Sequence, residues 1–416
     1  MAFPVNDSYS CASGGEIVAG RHRISAFTGL MGDSLTDEGF GLSPFYMANA
    51  SLGGKLDLLS NSGWSGTTVS GMLARIALPY TNVPPGFGGL PHMGRIFVRA
   101  GTNDARGDLA IGSLAATYTI LLNACATYAD KVIVLAVPPL GNETHNARCI
   151  EYNAWLTTFC AANPSVFRFV DDCVNVRNVD NSIKLEYFDP DEIHFNELGT
   201  AQLAIDLAAA IGTEYSSYAS PVSLDANDKY PARPQWFANP TMLGTSGSAS
   251  GGFTGQVVNN LSISGYGAGM AGTCSVVAAD GGDSNQTPWQ RISLSTVQTD
   301  SSIWINSAMV GRAMSSVDPV GLESIIEVRF NAVPRAAINY ILTYAQADTG
   351  EKLCTDQKFQ LIDTGVESGT FVLRVKRRRS GSSSPSSLLW HLFIKARSTL
   401  SGGLGSIDLR SLTVRG

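Results

Sequence analysis

The chain has 416 residues, 44% of them hydrophobic and 15% charged, with a formal net charge of -6. That length holds two cores, and that composition belongs to a globular protein rather than a disordered one. No apolar run reaches the roughly 18–20 residues a membrane-spanning helix needs. The charge divides into 12 Lys+Arg against 21 Asp+Glu over residues 1–220 and 17 against 14 over 221–416, so neither half has the strongly basic balance of a nucleic-acid binder.

The first twenty residues are polar, rich in Ser and Gly, and show no apolar h-region, so classical signal-peptide export has no support and the place of action stays open. From there to about residue 215, short apolar runs alternate with helix-length segments. Residues 24–31, 55–61, 95–100, 131–137 and 166–172 read as strands, and 109–130, 143–162 and 196–211 as helices with apolar faces. This alternation predicts an α/β fold with a parallel sheet covered on both faces. Ligands of such sheets bind beyond the carboxyl ends of the strands, where Ser34, Gly66, Asn103 and Pro138-Pro139 all fall.

Composition changes after Glu214, first to Tyr, Ser, Pro and Asn and then to the low-complexity stretch 244–252, read as a loop. A boundary near 220 is expected, with domains 1–220 and 221–416. From Gln256 onward about ten short strands follow, at 261–264, 275–278, 291–297, 303–305, 325–330, 338–344, 371–375, 389–396 and 407–414 among others, and an antiparallel β-sandwich fits best. No internal repeat stands out. The basic run Arg374-Val375-Lys376-Arg377-Arg378-Arg379 follows an alternating segment and reads as a solvated strand edge, with contact to an anionic glycan as the lesser reading. Seven cysteines without a CxxC pair, beside five histidines, offer no zinc signature, and no metal or other cofactor is expected. Cys149 and Cys160 share one predicted helix too far apart to bridge. Cys160 with Cys173, or Cys274 with Cys354, can pair under oxidising conditions, but reduced structural thiols are the preferred reading.

Chemistry concentrates in the first half. Gly32-Asp33-Ser34-Leu35 follows the first strand, and Asp191-Glu192-Ile193-His194 precedes the last helix. A serine hydroxyl is a poor nucleophile at neutral pH, so it needs an imidazole to take its proton and a third group to hold that imidazole in the right tautomer. Asp191 and His194, three residues apart, put both of those groups on one turn. Taken alone, Ser34 is also a plausible helix cap. Asp189 competes with Asp191 as the orienting acid, Asp33 and Asp104 read as turn and capping residues, and His22, His92, His145 and His391 default to structural roles.

Four blocks in order, Gly32-Asp33-Ser34, Asn61-Ser62-Gly63-Trp64-Ser65-Gly66, Gly101-Thr102-Asn103-Asp104 and Asp191-Glu192-Ile193-His194, resemble the SGNH hydrolases, also called the GDSL esterase and lipase family, over residues 24–213. The resemblance implies a flavodoxin-like three-layer fold around a five-stranded parallel sheet. It implies Ser34 as nucleophile, His194 as general base and then acid, and Asp191 as its partner. The backbone N–H groups of Ser34 and Gly66 and the carboxamide of Asn103 become the oxyanion hole. Glycine admits close backbone approach, and a neutral amide donates without a charge that must be desolvated. Trp64 walls the acyl site or packs in the core. The GxSxG elbow of the other large α/β hydrolase class is absent.

Several chemistries share such a site: carbohydrate deacetylation, lipid ester hydrolysis, thioester hydrolysis and acyl transfer. The β-rich half tips the balance, because an appended sandwich commonly holds a polymeric substrate. Trp236, Trp289, Trp304 and Trp390 fall in residues 236–416; exposed ones stack on sugars, although most are expected in the core. The ending 405–412 is loosely similar to the last strand of jelly-roll carbohydrate-binding modules, and the whole resembles phage tail proteins that deacetylate bacterial surface glycans. The expected substrate is thus an O-acetylated polysaccharide. A lipase-like or thioesterase reading rests on the apolar segment 40–47. A catalytically inactive glycan-binding adhesin is the reading from another class, and the intact site residues argue against it. Oligomeric state is not legible.

Overall fold

A computed structural model describes residues 27–37, 43–80, 82–215, 239, 242–267, 269–281, 287–308, 323–347, 358–360, 366–376 and 388–415. The α/β half is built from β1 (Phe27–Gly32), α1 (Pro44–Ser51), β2 (Asp57–Gly63), α2 (Val69–Arg75), β3 (Met93–Arg99), α3 (Thr102–Arg106), α4 (Ile111–Ala126), β4 (Ala129–Leu135), α5 (Glu143–Ala162), β5 (Phe167–Val170) and α6 (Glu197–Tyr215). Its five strands pair in the order β2-β1-β3-β4-β5, all parallel. The whole of β3 is buried, as expected of a central strand covered on both faces.

The long helices form where apolar residues recur at helical spacing. In α4, Leu114, Tyr118, Leu121, Leu122 and Cys125 make the buried stripe. Asn142 caps α5 by accepting from the His145 N–H (3.1 Å), and the helix ends just before Pro164. The three short helices α1, α2 and α3 were not expected, since helices of five to eight residues are too short for an apolar stripe to repeat distinctly. Within the apolar segment at 40–47, on which the lipase-like reading rests, Phe45, Tyr46 and Met47 of α1 are buried in the core, and residues 40–42 lie outside the described residues. Each such burial stabilises the fold by roughly 1.5–3 kcal/mol.

The second half contains β6 (Ser246–Ser250), β7 (Phe253–Gly255), β8 (Val257–Tyr266), β9 (Ala271–Val277), β10 (Trp289–Val297), β11 (Ser302–Ala308), β12 (Glu323–Pro334), β13 (Ile338–Ala347), β14 (Lys358–Gln360), β15 (Val366–Lys376), β16 (Leu388–Ala396), β17 (Leu400–Ser401) and β18 (Ser406–Arg415). They form two sheets, β15-β12-β18-β10-β9-β7 with β17 paired to β10, and β14-β13-β16-β11-β8-β6. The sandwich is mixed rather than purely antiparallel, because β6 runs parallel to β8 and β7 parallel to β9. The low-complexity stretch at 244–252 is therefore not all loop: its serines alternate along β6 as edge residues of a sheet, a pattern too polar to stand out.

The two halves share one apolar core, in which Phe45, Leu207 and Ile211 of the α/β half join Ile326, Leu373 and Trp390 of the sandwich. Arg374 of β15 reaches across this junction, donating to the Gly54 carbonyl (3.1 Å) and pairing with Asp57 (3.0 Å), with both side chains almost fully buried. The first arginine of the basic run is thus an interior residue rather than a solvated edge, and Arg377, Arg378 and Arg379 lie outside the described residues, as do the boundary near 220, Cys11, Cys354, His22 and Trp236. Cys125, Cys149, Cys160, Cys173 and Cys274 are free and buried. Among the described residues, no helix is long and apolar enough to cross a membrane.

Candidate active site

The carboxyl edge of the parallel sheet collects every residue the motifs single out. β1 ends at Gly32, where a Cβ would lie 2.1 Å from the Thr36 hydroxyl and 2.9 Å from the Arg99 carbonyl, so only glycine fits. The chain then turns tightly, with the Thr36 and Asp37 N–H groups donating to the Asp33 carbonyl (3.1 and 3.0 Å), and Ser34 stands on this turn. Asp33 is fully buried and caps the turn by accepting from the Leu35 N–H (3.0 Å). Burial pushes its carboxyl up to about 6, against the opposing pull of Leu35, Thr102, Arg99 and His194.

Ser34 Oγ lies 2.8 Å from His194 Nε2, and His194 Nδ1 lies 2.5 Å from Asp191 Oδ2. With Nδ1–H donating to the carboxylate, Nε2 is left as the acceptor for the serine proton. The other Asp191 oxygen accepts from the backbone N–H groups of His194 (2.9 Å) and Ile193 (3.0 Å). Partial burial pushes Asp191 up, but these hydrogen bonds outweigh it and hold the carboxyl below its ordinary range. The competing Asp189 serves the same turn through its backbone, donating its N–H to the His194 carbonyl and accepting from the Glu192 N–H, both at 2.9 Å. Glu192 takes a left-handed conformation (φ 56°), and its carbonyl accepts from the Gly141 N–H (3.1 Å), which ties the turn to the β4–α5 loop.

On the opposite side of Ser34, Trp64 N–H donates to the Gly32 carbonyl (3.1 Å) and Asn61 bridges from the Thr36 carbonyl (2.7 Å) to the Gly63 N–H (2.8 Å). These bonds dock the 64–67 loop on the Ser34 turn. Gly66 in that loop has φ 74°, with open space where a side chain would stand. Asn103, near the start of α3, spends one amide hydrogen on the Thr67 carbonyl (3.1 Å) and has a second to offer. Asp104 accepts from the Val69 N–H (2.9 Å) at the start of α2, a capping role, and burial raises its carboxyl. Trp64 is 38% exposed, so it is not a core residue. His92 pairs with Asp130 and His391 with Asn306, away from Ser34.

Sequence reasoning missed the interior beneath this edge. Arg75 donates to Gly32, and Arg99 forms a fully buried ion pair with Asp172. Isolated charges inside apolar strands and helices carry no motif, and only their burial reveals them. A cleft of about 170 Å³ between α5 and β5 contains none of the site residues, and its Asn153 is committed to the Val137 backbone and its Arg177 to Asp171.

A doubly wound α/β domain with a serine, an imidazole and a carboxylate in line at its carboxyl edge has the layout of a serine acyl hydrolase. Residues 30–202 match the family model for the GDSL-like Lipase/Acylhydrolase family, which identifies this segment as a GDSL-like hydrolase domain. No curated protein matches the chain. Among solved structures, a GDSL-like lipase from Bacteroides thetaiotaomicron is 17% identical, covering 46% of this chain and 87% of that one with a TM-score of 0.35. A carbohydrate esterase family 3 protein from Talaromyces cellulolyticus is 19% identical, covering 46% and 99% with a TM-score of 0.34. The C-terminal catalytic domain of peptidoglycan O-acetyltransferase A from Streptococcus pneumoniae is 17% identical, covering 46% and 95% with a TM-score of 0.32. At those scores the likenesses decide nothing about substrate.

Proposed function

We propose that the protein is a serine esterase that removes acetyl groups from a polysaccharide. The observation that carries the esterase reading is the unbroken line Ser34–His194–Asp191, at 2.8 and 2.5 Å. In this reading His194 takes the Ser34 proton as Oγ attacks the acyl carbonyl, the developing oxyanion accepts from Asn103 and from the N–H groups of Gly66 and Ser34, and His194 then protonates the leaving alcohol. Water repeats the sequence on the acyl-enzyme and releases the acid. Trp64, half open beside Gly66, walls the acyl pocket and keeps it short.

Two features support a glycan rather than a lipid. Phe45, Tyr46 and Met47, in the segment on which a lipase-like reading rests, are packed into the core through α1. On the outer face of the six-stranded sheet, register places Tyr266, Trp304, Phe393 and Tyr340 on one side, with Tyr266 70% exposed and serines 248, 250, 262 and 264 beside them. Aromatic rings flanked by hydroxyls suit the apolar faces and hydroxyl edges of sugars. By contrast, Trp289 and Trp390 are core residues.

Acetate release from a panel of O-acetylated polysaccharides tests the reading, with the intact chain, Ser34→Ala and Trp304→Ala. The expected result is release by the wild type, none by Ser34→Ala, and a loss in Trp304→Ala confined to polymeric substrates. Activity that rises from acetyl to octanoyl esters, with no acetate from any polymer, overturns it in favour of a lipase-like enzyme. A folded wild type that a fluorophosphonate does not label overturns the hydrolase reading altogether.

A further inference from the structure

We infer that Arg75 is a positioning residue for the reaction, holding the nucleophile turn and the oxyanion loop in register through the Gly32 carbonyl; the inference rests on the esterase reading above. Arg75 is the last residue of α2 and only 3% exposed. Its Nη2 donates to the Gly32 carbonyl (2.9 Å) and its Nη1 to the Pro85 carbonyl (2.6 Å). The same Gly32 oxygen accepts from the Trp64 N–H (3.1 Å). Both lone pairs of that carbonyl are therefore used, one by the loop that leads to Gly66 and one by a guanidinium anchored at its far end to a third loop.

Gly32 directly precedes Asp33 and Ser34, and Trp64 precedes Gly66 by two residues, so this one oxygen is the joint between attacking group and oxyanion donors. The joint uses an expensive part. No carboxylate among the described residues forms an ion pair with Arg75, its Nε has no hydrogen-bond partner, and the carboxylates whose charge acts on it are Asp37 and Asp33. Burial lowers its pKa to about 10 against their pull. An apolar side chain of similar volume would fill the space without burying a charge. A methionine cannot fix two carbonyls at once, and a lysine, with a single nitrogen, reaches one or the other but does not bridge them as a planar fork does.

Misplacement of reacting groups by about 1 Å costs on the order of a hundredfold in rate. Arg75→Met in the full chain is therefore expected to lower kcat for 4-nitrophenyl acetate about a hundredfold per fluorophosphonate-labelled site, with KM within about twofold, because the acyl group itself does not touch Arg75. Arg75→Lys is expected to fall between the two. A purely structural role predicts something else: fewer labelled sites and a lower melting temperature, but wild-type kcat per labelled site, and that result in the folded Met variant overturns the inference. If the Met variant does not fold, Lys decides by the same measure, lowered kcat per site supporting the inference and wild-type kcat overturning it. A wild type that is neither labelled nor active overturns the esterase reading and the inference with it, whereas an active wild type with an unimpaired Arg75→Met overturns the inference alone.

Discussion

Replacing Asp191 by Asn is the sharpest perturbation the site offers, because the backbone dictates how the new amide must sit. Asp191 Oδ1 receives two N–H groups, from Ile193 at 3.0 Å and His194 at 2.9 Å, so an asparagine there keeps its carbonyl oxygen on that side. Turning the NH2 toward these two donors would set donor against donor, with no acceptor for either backbone N–H. The NH2 is consequently forced toward His194 Nδ1, now 2.5 Å from Oδ2. Nδ1 must then act as acceptor, the ring proton moves to Nε2, and Nε2 can no longer take the proton of Ser34. An imposed wrong tautomer in a serine triad costs about 10⁴ in kcat, or ~5.5 kcal/mol of barrier. Asp191→Ala should lose less than Asp191→Asn. The Asp191 side chain is 45% exposed, so water can enter the vacated space and accept from Nδ1–H, leaving the tautomer intact. The assay is steady-state hydrolysis of 4-nitrophenyl acetate, with melting curves to verify folding. An asparagine variant within tenfold of wild type, or more active than the alanine variant, refutes the reasoning.

Under the proposed mechanism, in which the second Asn103 amide hydrogen acts only on the developing oxyanion, Asn103→Ala should lower kcat by about 10²–10³ with little change in KM; a rise in KM at constant kcat counts against that role. Asp33→Asn tests the buried carboxyl through stability. Because the folded pKa is raised from 3.8 to about 6, Asp33 favours the folded state fully below 3.8, and that contribution is lost as pH rises through 6. The asparagine variant, fixed in the neutral form, should therefore gain about 2–3 kcal/mol relative to wild type between pH 4 and pH 8. A stability difference that does not change with pH rejects the assignment. Arg374→Ala strips Asp57 of a cation bonded at 3.0 Å in a buried junction and should cost about 3–5 kcal/mol, seen as earlier unfolding by calorimetry; a change under about 0.5 kcal/mol would mean that the junction is wet.

The five parallel strands and the long helices were legible because burial on both faces leaves continuous apolar runs, and α4, α5 and α6 are long enough for their apolar stripes to repeat. The candidate site stood out for a different reason: Gly32, Gly66, Asn103 and the Asp191/His194 pair are residue types that backbone geometry or acyl-transfer chemistry would demand at such positions, where few others are tolerated. What sequence did not disclose was long-range. Arg75 and Arg99 look like ordinary charges in their segments, and only the fold puts one on Gly32 and the other on Asp172. The parallel pairing of β6 was hidden too, because its partner is chosen by topology and its residues are only serine, glycine and alanine.

The junction between the halves bears on how a polymer would be handled. A flexible tether lets a binding module raise local concentration around an enzyme at no fixed distance, whereas a shared core restricts the module to few orientations. Here Phe45 and Leu373 lie in the same core and Arg374 is locked to Gly54 and Asp57. A glycan held on the Trp304 face would consequently meet Ser34 at a set spacing along the chain rather than at random. Two consequences separate this from tethering. Acetate release from a polymer should show a preferred spacing of cleaved groups in the wild type, and Arg374→Ala should blur that pattern while leaving 4-nitrophenyl acetate turnover unchanged. A random pattern in the wild type, with polymer activity still dependent on Trp304, would mean that the sandwich serves only to concentrate substrate.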